Sequence, residues 1–211
     1  MKRFECDLVR GWLHEPAGNA RRQGIVLTHG AGSNCESPLL QALAAEFCAA
    51  GYHVLRCDLP YRQERPHGPP FPAASARDRE GLRRAADAMR ELTPEHVTLG
   101  GHSYGGRQSS MLAAEAPELV EMLLLLSYPL HPPRKPEQLR TAHLGKIQTP
   151  ALFIHGARDP FGSLEEMQAA LTAIPARHHI VAIEKAGHEL RPELAPAILR
   201  ETLCFATVSN K

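Results

Sequence analysis

Apolar and polar positions along the chain fall into short blocks that alternate between a strand-like and a helix-like period. Gly24-Ile25-Val26-Leu27-Thr28-His29 is a compact apolar run that stops at the glycine cluster His29-Gly30-Ala31-Gly32-Ser33, the pattern of a buried strand closed by a loop. A helix is expected next. Ser37 stands at the N-cap, Pro38 at the first helical position, Leu39, Leu40, Leu43 and Phe47 on one stripe, and Gly51 just past the end. Residues 52–60 form the next strand-like run, closed by Pro60, which cannot donate to a ladder. Five prolines between Pro60 and Pro72 predict a loop with little regular structure. From Ser75 to Leu92, Leu82, Ala85, Ala86, Met89 and Leu92 recur at helical spacing, with arginines and carboxylates around the rest of the turn.

The second half repeats the alternation. His96 to Gly101 is strand-like and leads into His102-Ser103-Tyr104-Gly105-Gly106 and a helix-compatible stretch ended by Pro117. Val120 to Leu126 is nearly all apolar, as a strand buried on both faces requires. Residues 128–149 are Pro-rich and predicted irregular, with at most a short helix. A strand over 150–156 follows, then a helix opened by the capping box Ser163–Glu166, a strand over 179–184 and a helix of about 190–206. Pro196 predicts that this last helix starts late or kinks. Residues 3–14 add one or two edge strands. Such alternation implies an α/β fold: a mostly parallel, doubly wound sheet of about six to eight strands with helices on both faces.

Composition narrows the picture. The 211 residues suit one domain spanning 1–211. No apolar run approaches the roughly 20 residues of a membrane span, and the start turns polar before any secretory apolar region, so a cytoplasmic location is expected. Five widely spaced cysteines predict reduced, mostly buried thiols rather than disulfides or a metal site. A net charge of +1 gives no field that would draw nucleic acid or an anionic membrane. A small-molecule substrate is expected, with no cofactor and no metal; oligomeric state is left open.

Three residues with catalytic chemistry fall at predicted strand ends, where doubly wound sheets bind ligands. Ser103 is the centre of a G-x-S-x-G sequence, Gly101 to Gly105, set between strand and helix. The glycines permit a sharp turn that exposes the serine; an ordinary serine in a glycine-rich turn is the alternative. Asp159 follows the strand over 150–156, positioned to hydrogen-bond a histidine ring, although an aspartate before Pro160 also suits a plain turn. His188 follows the last strand behind Gly187, where a solvated loop histidine competes with a general base. The chain order Ser, Asp, His favours one catalytic set. Oxyanion donors are expected from the backbone N–H of Tyr104 and from the 29–32 loop, at Ala31 or a neighbour. His29 is expected to be structural.

Along nearly its whole length the chain resembles the α/β-hydrolase superfamily, through HGAG at 29–32, GHSYGG at 101–106, HGARDP at 155–160 and the Gly187-His188 pair. Within it, DLPYRQERPHGPP (58–70), SYPLHPP (127–133) and RDPFG (158–162) resemble the small hydrolases grouped with dienelactone hydrolase-like enzymes and with testis-expressed protein thirty. The resemblance implies the α/β-hydrolase sheet and the triad roles, but no substrate. Dienelactone hydrolase itself uses a cysteine nucleophile where this chain has Ser103, so its activity does not carry over.

Residues 128–149 occupy the place of a lid, and their length leaves room only for a Pro-stiffened flap, which predicts an open, shallow site. Arg62, Arg65 and Arg107 are candidates to ring that site and hold a carboxylate or phosphate; arginines bonded to loop carbonyls are the competing reading. Gly30 and Tyr128 join them as candidate substrate contacts, with packing the alternative for Tyr61 and Tyr128. The expected activity is hydrolysis of a carboxylic ester or thioester through an acyl-enzyme. A catalytically idle interaction module is the alternative from a different class, and perhydrolysis or C–C bond cleavage would use the same triad.

Overall fold

The computed structural model describes residues 1–132 and 134–207. One sheet of eight strands runs in the order β1-β2-β4-β3-β5-β6-β7-β8. Its parallel part comprises β3 (Gln23–Thr28), β4 (His53–Asp58), β5 (His96–His102), β6 (Met122–Leu126), β7 (Ala151–Gly156) and β8 (His178–Ile183). The N-terminal hairpin, β1 (Lys2–Cys6) and β2 (Val9–His14), adds antiparallel to β4 at one edge. In β2 the positions Val9, Gly11 and Leu13 are buried and the intervening ones are half-exposed, as a strand covered on one face should be. All five residues of β6, Met122-Leu123-Leu124-Leu125-Leu126, are buried, because helices cover both faces there.

Helices α1 (Pro38–Ala49), α3 (Ser75–Leu92), α4 (Tyr104–Glu115), α5 (Leu164–Leu171) and α6 (Ala195–Thr207) divide between the two faces, with the short α2 (Pro60–Glu64) at the end of β4. Leu40, Leu43 and Phe47 of α1 and Ile198 and Phe205 of α6 pack on one side with Ile25, Leu27 and Leu124. Leu82 and Met89 of α3, Leu112 of α4 and Met167 and Leu171 of α5 pack on the other with Val26, Leu99 and Leu125. Side chains at alternate positions of one strand therefore feed opposite cores. Burying each such leucine contributes roughly 1.5–3 kcal/mol, and together they fix which face every strand presents. The chain moves from β3 outward to β4 and returns past β3 to β5, so the crossover direction reverses between β3 and β5. That reversal opens a crevice beyond their carboxyl ends.

Local signals set the helix ends. Ser37 Oγ accepts the Leu40 N–H at 3.4 Å. Ser163 and Glu166 form both bonds of a capping box, Ser163 N–H to Glu166 Oε2 at 2.7 Å and Glu166 N–H to Ser163 Oγ at 3.2 Å. Pro196 delays α6: a 3-10 turn over Pro192–Leu194 precedes it, and the helix begins at Ala195. The Pro60–Pro72 segment departs from the irregular loop expected, because its first five residues are helical. Pro60 sits at the first helical position, and Asp78 of α3 accepts the Tyr61 N–H at 3.0 Å, so the cap comes from a distant part of the chain. The described residues of 128–149 are largely irregular, with a 3-10 turn at Leu144–Lys146. The cysteines are free but less buried than expected: Cys35 and Cys57 are buried, Cys48 is intermediate, and Cys6 and Cys204 are exposed. No helix among the described residues is long and apolar enough to cross a membrane.

Burial makes the folded protein resist protonating His14, His29, His96, His102 and His143. Burial lowers the affinity of His29 for a proton. Burial and the Arg56 guanidinium hold His14 down at about 4, and burial with Arg107 and Arg79 does the same to His143. In the unfolded chain all five titrate near 6.5, so between about pH 6.5 and 4 the unfolded state binds more protons and stability falls as pH falls. Buried Asp78, whose carboxyl is shifted upward, opposes this in the acid range as one group against five histidines. The urea midpoint is expected to be lower at pH 5 than at pH 7.5, with the unfolding free energy reduced by on the order of 1–2 kcal/mol from His29 alone. Equal midpoints would contradict the assignment of neutral buried histidines.

Candidate active site

Strand β5 runs straight into α4 through Ser103, whose φ of 52° and ψ of −115° lie outside the regions open to most L-residues. The turn is held from three directions. Ser103 N–H donates to Leu126 O at 2.8 Å, Gly105 N–H to His29 O at 3.1 Å, and Arg107 N–H to Ser103 O at 2.9 Å. Gly105 lies against the end of β3: a Cβ there would stand 2.6 Å from both His29 O and Thr28 Cγ2. Only a residue without a side chain lets α4 start this close to β3.

Asp159 and His188 come from the ends of β7 and β8, and the two loops are stitched together. Ala157 N–H donates to Ile183 O at 3.1 Å and Arg158 N–H to Ala186 O at 2.9 Å. Asp159 is 5% exposed. Its Oδ1 accepts the Phe161 N–H at 2.9 Å and its Oδ2 lies 2.8 Å from His188 Nδ1. His188 Nε2 lies 2.8 Å from Ser103 Oγ. Since a buried carboxylate accepts, Nδ1 carries the ring proton and Nε2 is left to accept the serine hydroxyl. The Phe161 ring covers the imidazole at a centroid distance of 4.1 Å. His102 Nε2 meets His188 O at 2.9 Å and so anchors the backbone of that loop. His155, fully buried, donates from Nε2 to Gly162 O at 2.8 Å and brings Nδ1 to 4.0 Å from Asp159 Oδ2. The structure thus brings the three residues singled out in sequence into one hydrogen-bonded chain.

Comparison with known proteins agrees with this architecture. A family model described as an alpha/beta hydrolase domain matches residues 21–206. The chain belongs to that family. Among solved structures it is similar to an alpha-beta serine hydrolase homologue from Coxiella burnetii, with 16% identity, 95% of each chain covered and a TM-score of 0.76. It is also similar to Est1E from Butyrivibrio proteoclasticus, with 17% identity, 98% of each chain covered and a TM-score of 0.73. A dienelactone hydrolase from Anabaena variabilis matches at 23% identity, covering 92% of this chain and 88% of that one, with a TM-score of 0.71. At these identities the likeness is one of fold.

In this alpha/beta hydrolase the loop after β3 is fixed by groups outside it. His29, fully buried, donates from Nδ1 to Gly30 O at 2.9 Å and accepts the Leu59 N–H on Nε2 at 3.1 Å, the structural part expected of it. Tyr61 Oη donates to Ala31 O at 2.9 Å. Arg62 corrects its expected substrate-binding role. Its guanidinium is spent on four backbone carbonyls, Ser33 O at 2.7 Å, Arg65 O at 2.9 Å, Ala31 O at 3.0 Å and Gly68 O at 2.9 Å, and it is 6% exposed. Arginine clamps two loops to each other here. Arg65 is also corrected: its guanidinium lies over the Phe71 ring at 4.3 Å, and it is Phe71, not Arg65, that lines the cavity above Ser103. Tyr128 is 1% exposed, donates to Arg140 O at 2.7 Å and packs edge-on to Phe153. It anchors the flap from below.

A cavity of about 1130 Å³ opens over Ser103 and His188. Gly30, Ala31, Tyr104 and Arg107 line it as the sequence suggests. It is roomier than the shallow site expected, because the Pro-rich loop adds Pro69, Pro70, Phe71 and Pro72 to a lining that also includes Pro129 and Arg140 of the flap. Sequence reasoning missed Gln108, Arg140 and Phe161 among the lining residues. Gln108 lies one residue beyond Arg107 on α4, a signal within reach; Arg140 sits in irregular chain with no local pattern to mark it.

Gly156 ends β7 directly against the other loop, where an added methyl would overlap Gly187 O and crowd Ala186 O. Gly156→Ala is therefore expected to cost about 1–3 kcal/mol of stability. Chemical denaturation measures it, and an unchanged midpoint would show that the two loops are not in contact as described.

Proposed function

We propose that the protein hydrolyses a carboxylic ester or thioester of a small substrate through an acyl-enzyme, with Ser103 as nucleophile, His188 as general base and Asp159 as the group that orients it. The observation that carries this reading is the hydrogen-bonded chain Ser103 Oγ, His188 Nε2, His188 Nδ1, Asp159 Oδ2, with both links at 2.8 Å. His188 takes the hydroxyl proton as Oγ attacks the carbonyl carbon, and Asp159 stabilises the imidazolium that forms. The tetrahedral oxyanion collapses, the bond to the alcohol or thiol breaks, and His188 returns the proton to that leaving group. A water then repeats the sequence on the acyl-serine, releasing the acid and restoring the hydroxyl.

Two backbone N–H groups are oriented for the oxyanion. Tyr104 opens α4, so its N–H has no intrahelical acceptor, and the preceding carbonyl, Ser103 O, points down the helix to Arg107 N–H. The trans peptide then directs the Tyr104 N–H the opposite way. The same logic applies to Ala31: Gly30 O accepts from Ser33 N–H and His29 Nδ1, which turns the Ala31 N–H away from that cluster. Each donor of this kind contributes roughly 3–4 kcal/mol in the transition state. Arg62 and Tyr61, holding Ala31 O, position the second donor. No step calls for a cofactor.

A fluorophosphonate probe is expected to label Ser103, and Ser103→Ala to abolish both labelling and ester turnover. Asp159→Asn should remain folded yet lose about 10⁴-fold in kcat, through the wrong histidine tautomer. Mass spectrometry of the labelled peptide and short-chain ester and thioester assays provide the readouts. A folded protein that neither labels nor turns over any acyl substrate would overturn the proposal.

A further inference from the structure

The cavity beside Ser103 carries more positive charge than the protein uses. Arg107 and Arg140 line it, with the exposed Arg191 on the side of His188 in sequence, and among the described residues none of the three forms an ion pair with an aspartate or glutamate. Arg107 is one turn into α4 from Ser103, and its Nε is buried with no acceptor. Arg140 makes one long bond, Nη1 to Pro129 O at 3.4 Å. Burial and, after it, Arg107 disfavour the charge on Arg140, while Tyr128 favours it. Neighbouring groups offer no counter-charge: His143 shares its Nε2 with Ser110 Oγ at 2.8 Å and is held neutral, and Asp78 is occupied by Tyr61 N–H and Tyr104 Oη. Glu189 is the acidic side chain of the lining, and it lies near His102.

Gln108, fully buried at the same wall, adds a third donor. Arg79 Nη1 donates to Gln108 Oε1 at 3.2 Å, and Ser75 Oγ lies 3.0 Å from the same atom. Because a guanidinium can only donate, the atom it meets must be the amide oxygen. The other amide atom is therefore the NH₂, and it is buried with no acceptor. Buried donors ordinarily find partners.

We propose that the substrate carries an anionic group, a carboxylate or a phosphate, which Arg107 and Arg140 bind with help from the Gln108 amide. This deepens the hydrolase reading and rests on it: the arginines would hold the substrate's charged end while its ester or thioester carbonyl meets Ser103. Planar guanidiniums match the paired oxygens of either anion.

The test pairs neutral and charged esters of similar size. p-Nitrophenyl valerate against mono-p-nitrophenyl glutarate puts the anion on the acyl side. Phenyl acetate against 4-acetoxybenzoate and 4-acetoxyphenyl phosphate puts it on the leaving group, as carboxylate or phosphate. At least one charged ester is expected to exceed its neutral partner about tenfold or more in kcat/KM, and that ratio should fall toward one in Arg107→Gln and Arg140→Gln. Should either variant fail to fold, competitive inhibition of neutral-ester turnover in the unaltered enzyme by glutarate and phenyl phosphate tests the same site. Labelling of Ser103 and turnover of neutral esters, with no charged ester preferred and neither anion inhibiting, would overturn the anion site and leave the hydrolase reading standing. Absence of both labelling and turnover would overturn the hydrolase reading, and the anion site with it.

Discussion

The backbone at Ser103 holds a conformation that costs an L-residue about 1–3 kcal/mol, and much of the surrounding architecture is what keeps it there. Hydrogen bonds from Ser103 to β6, from Gly105 to the end of β3 and from Arg107 back to Ser103 contribute about 0.5–1.5 kcal/mol each, enough together to offset the strain. They form only if β3, β5 and β6 lie side by side with α4 pressed close to β3, which the absent side chain of Gly105 allows. Sheet order, helix approach and serine exposure are thus one constraint seen at three scales. Loosen the approach of α4 and the serine relaxes into ordinary helix or strand geometry.

The other two members of the chain depend on a different contact. Asp159 and His188 lie far apart in sequence, and neither loop would hold its side chain alone. The backbone bonds between the β7 and β8 loops convert two flexible ends into one rigid piece. Phe161 then serves both, donating its N–H to the carboxylate and laying its ring on the imidazole. Burial of Asp159 strengthens its bond to the ring by removing competing water. His188 and Ser103 still line the cavity.

How much of this is legible in sequence follows from the range of each interaction. Ser37, Ser163 with Glu166, and Pro196 act within a few residues, so helix starts can be placed from the chain alone. The G-x-S-x-G turn and the strand-end positions of Asp159 and His188 are similarly local, and the structure brings Ser103 Oγ and Asp159 Oδ2 each to 2.8 Å from a ring nitrogen of His188. Arg62 is misread from sequence because four carbonyls from separate turns meet around it only after folding. Helix α2 escapes local signals because Asp78, from the following helix, caps it. Tyr128 looks like a site residue from its neighbours in sequence, yet β6 delivers it to the underside of the flap. Composition overestimates cysteine burial for a related reason: Cys6 lies on the edge hairpin and Cys204 on the outer side of α6.

Charge at the site is likewise set by contacts distant in sequence. A helix N-terminus carries a partial positive charge and disfavours nearby cations by about 0.3–1 kcal/mol. Helix α4 nonetheless has Arg107 in its opening turns and no acidic residue in its first turn. Asp78 could have compensated, but its oxygens are committed to Tyr61 and Tyr104. Asp159 is likewise committed to His188 and Phe161. Asp78 and Asp159 are thus committed to other groups, while the start of α4, Arg107 and Arg140 border a cavity whose acidic side chain is Glu189. Under the proposed mechanism an oxyanion forming on a substrate carbonyl at Ser103 would develop in the field of these groups, so an arrangement that costs the resting protein some stability would favour the charge that acyl transfer generates. That cost and that benefit fall at different moments, which is what a site complementary to a transition state rather than to its own resting form requires.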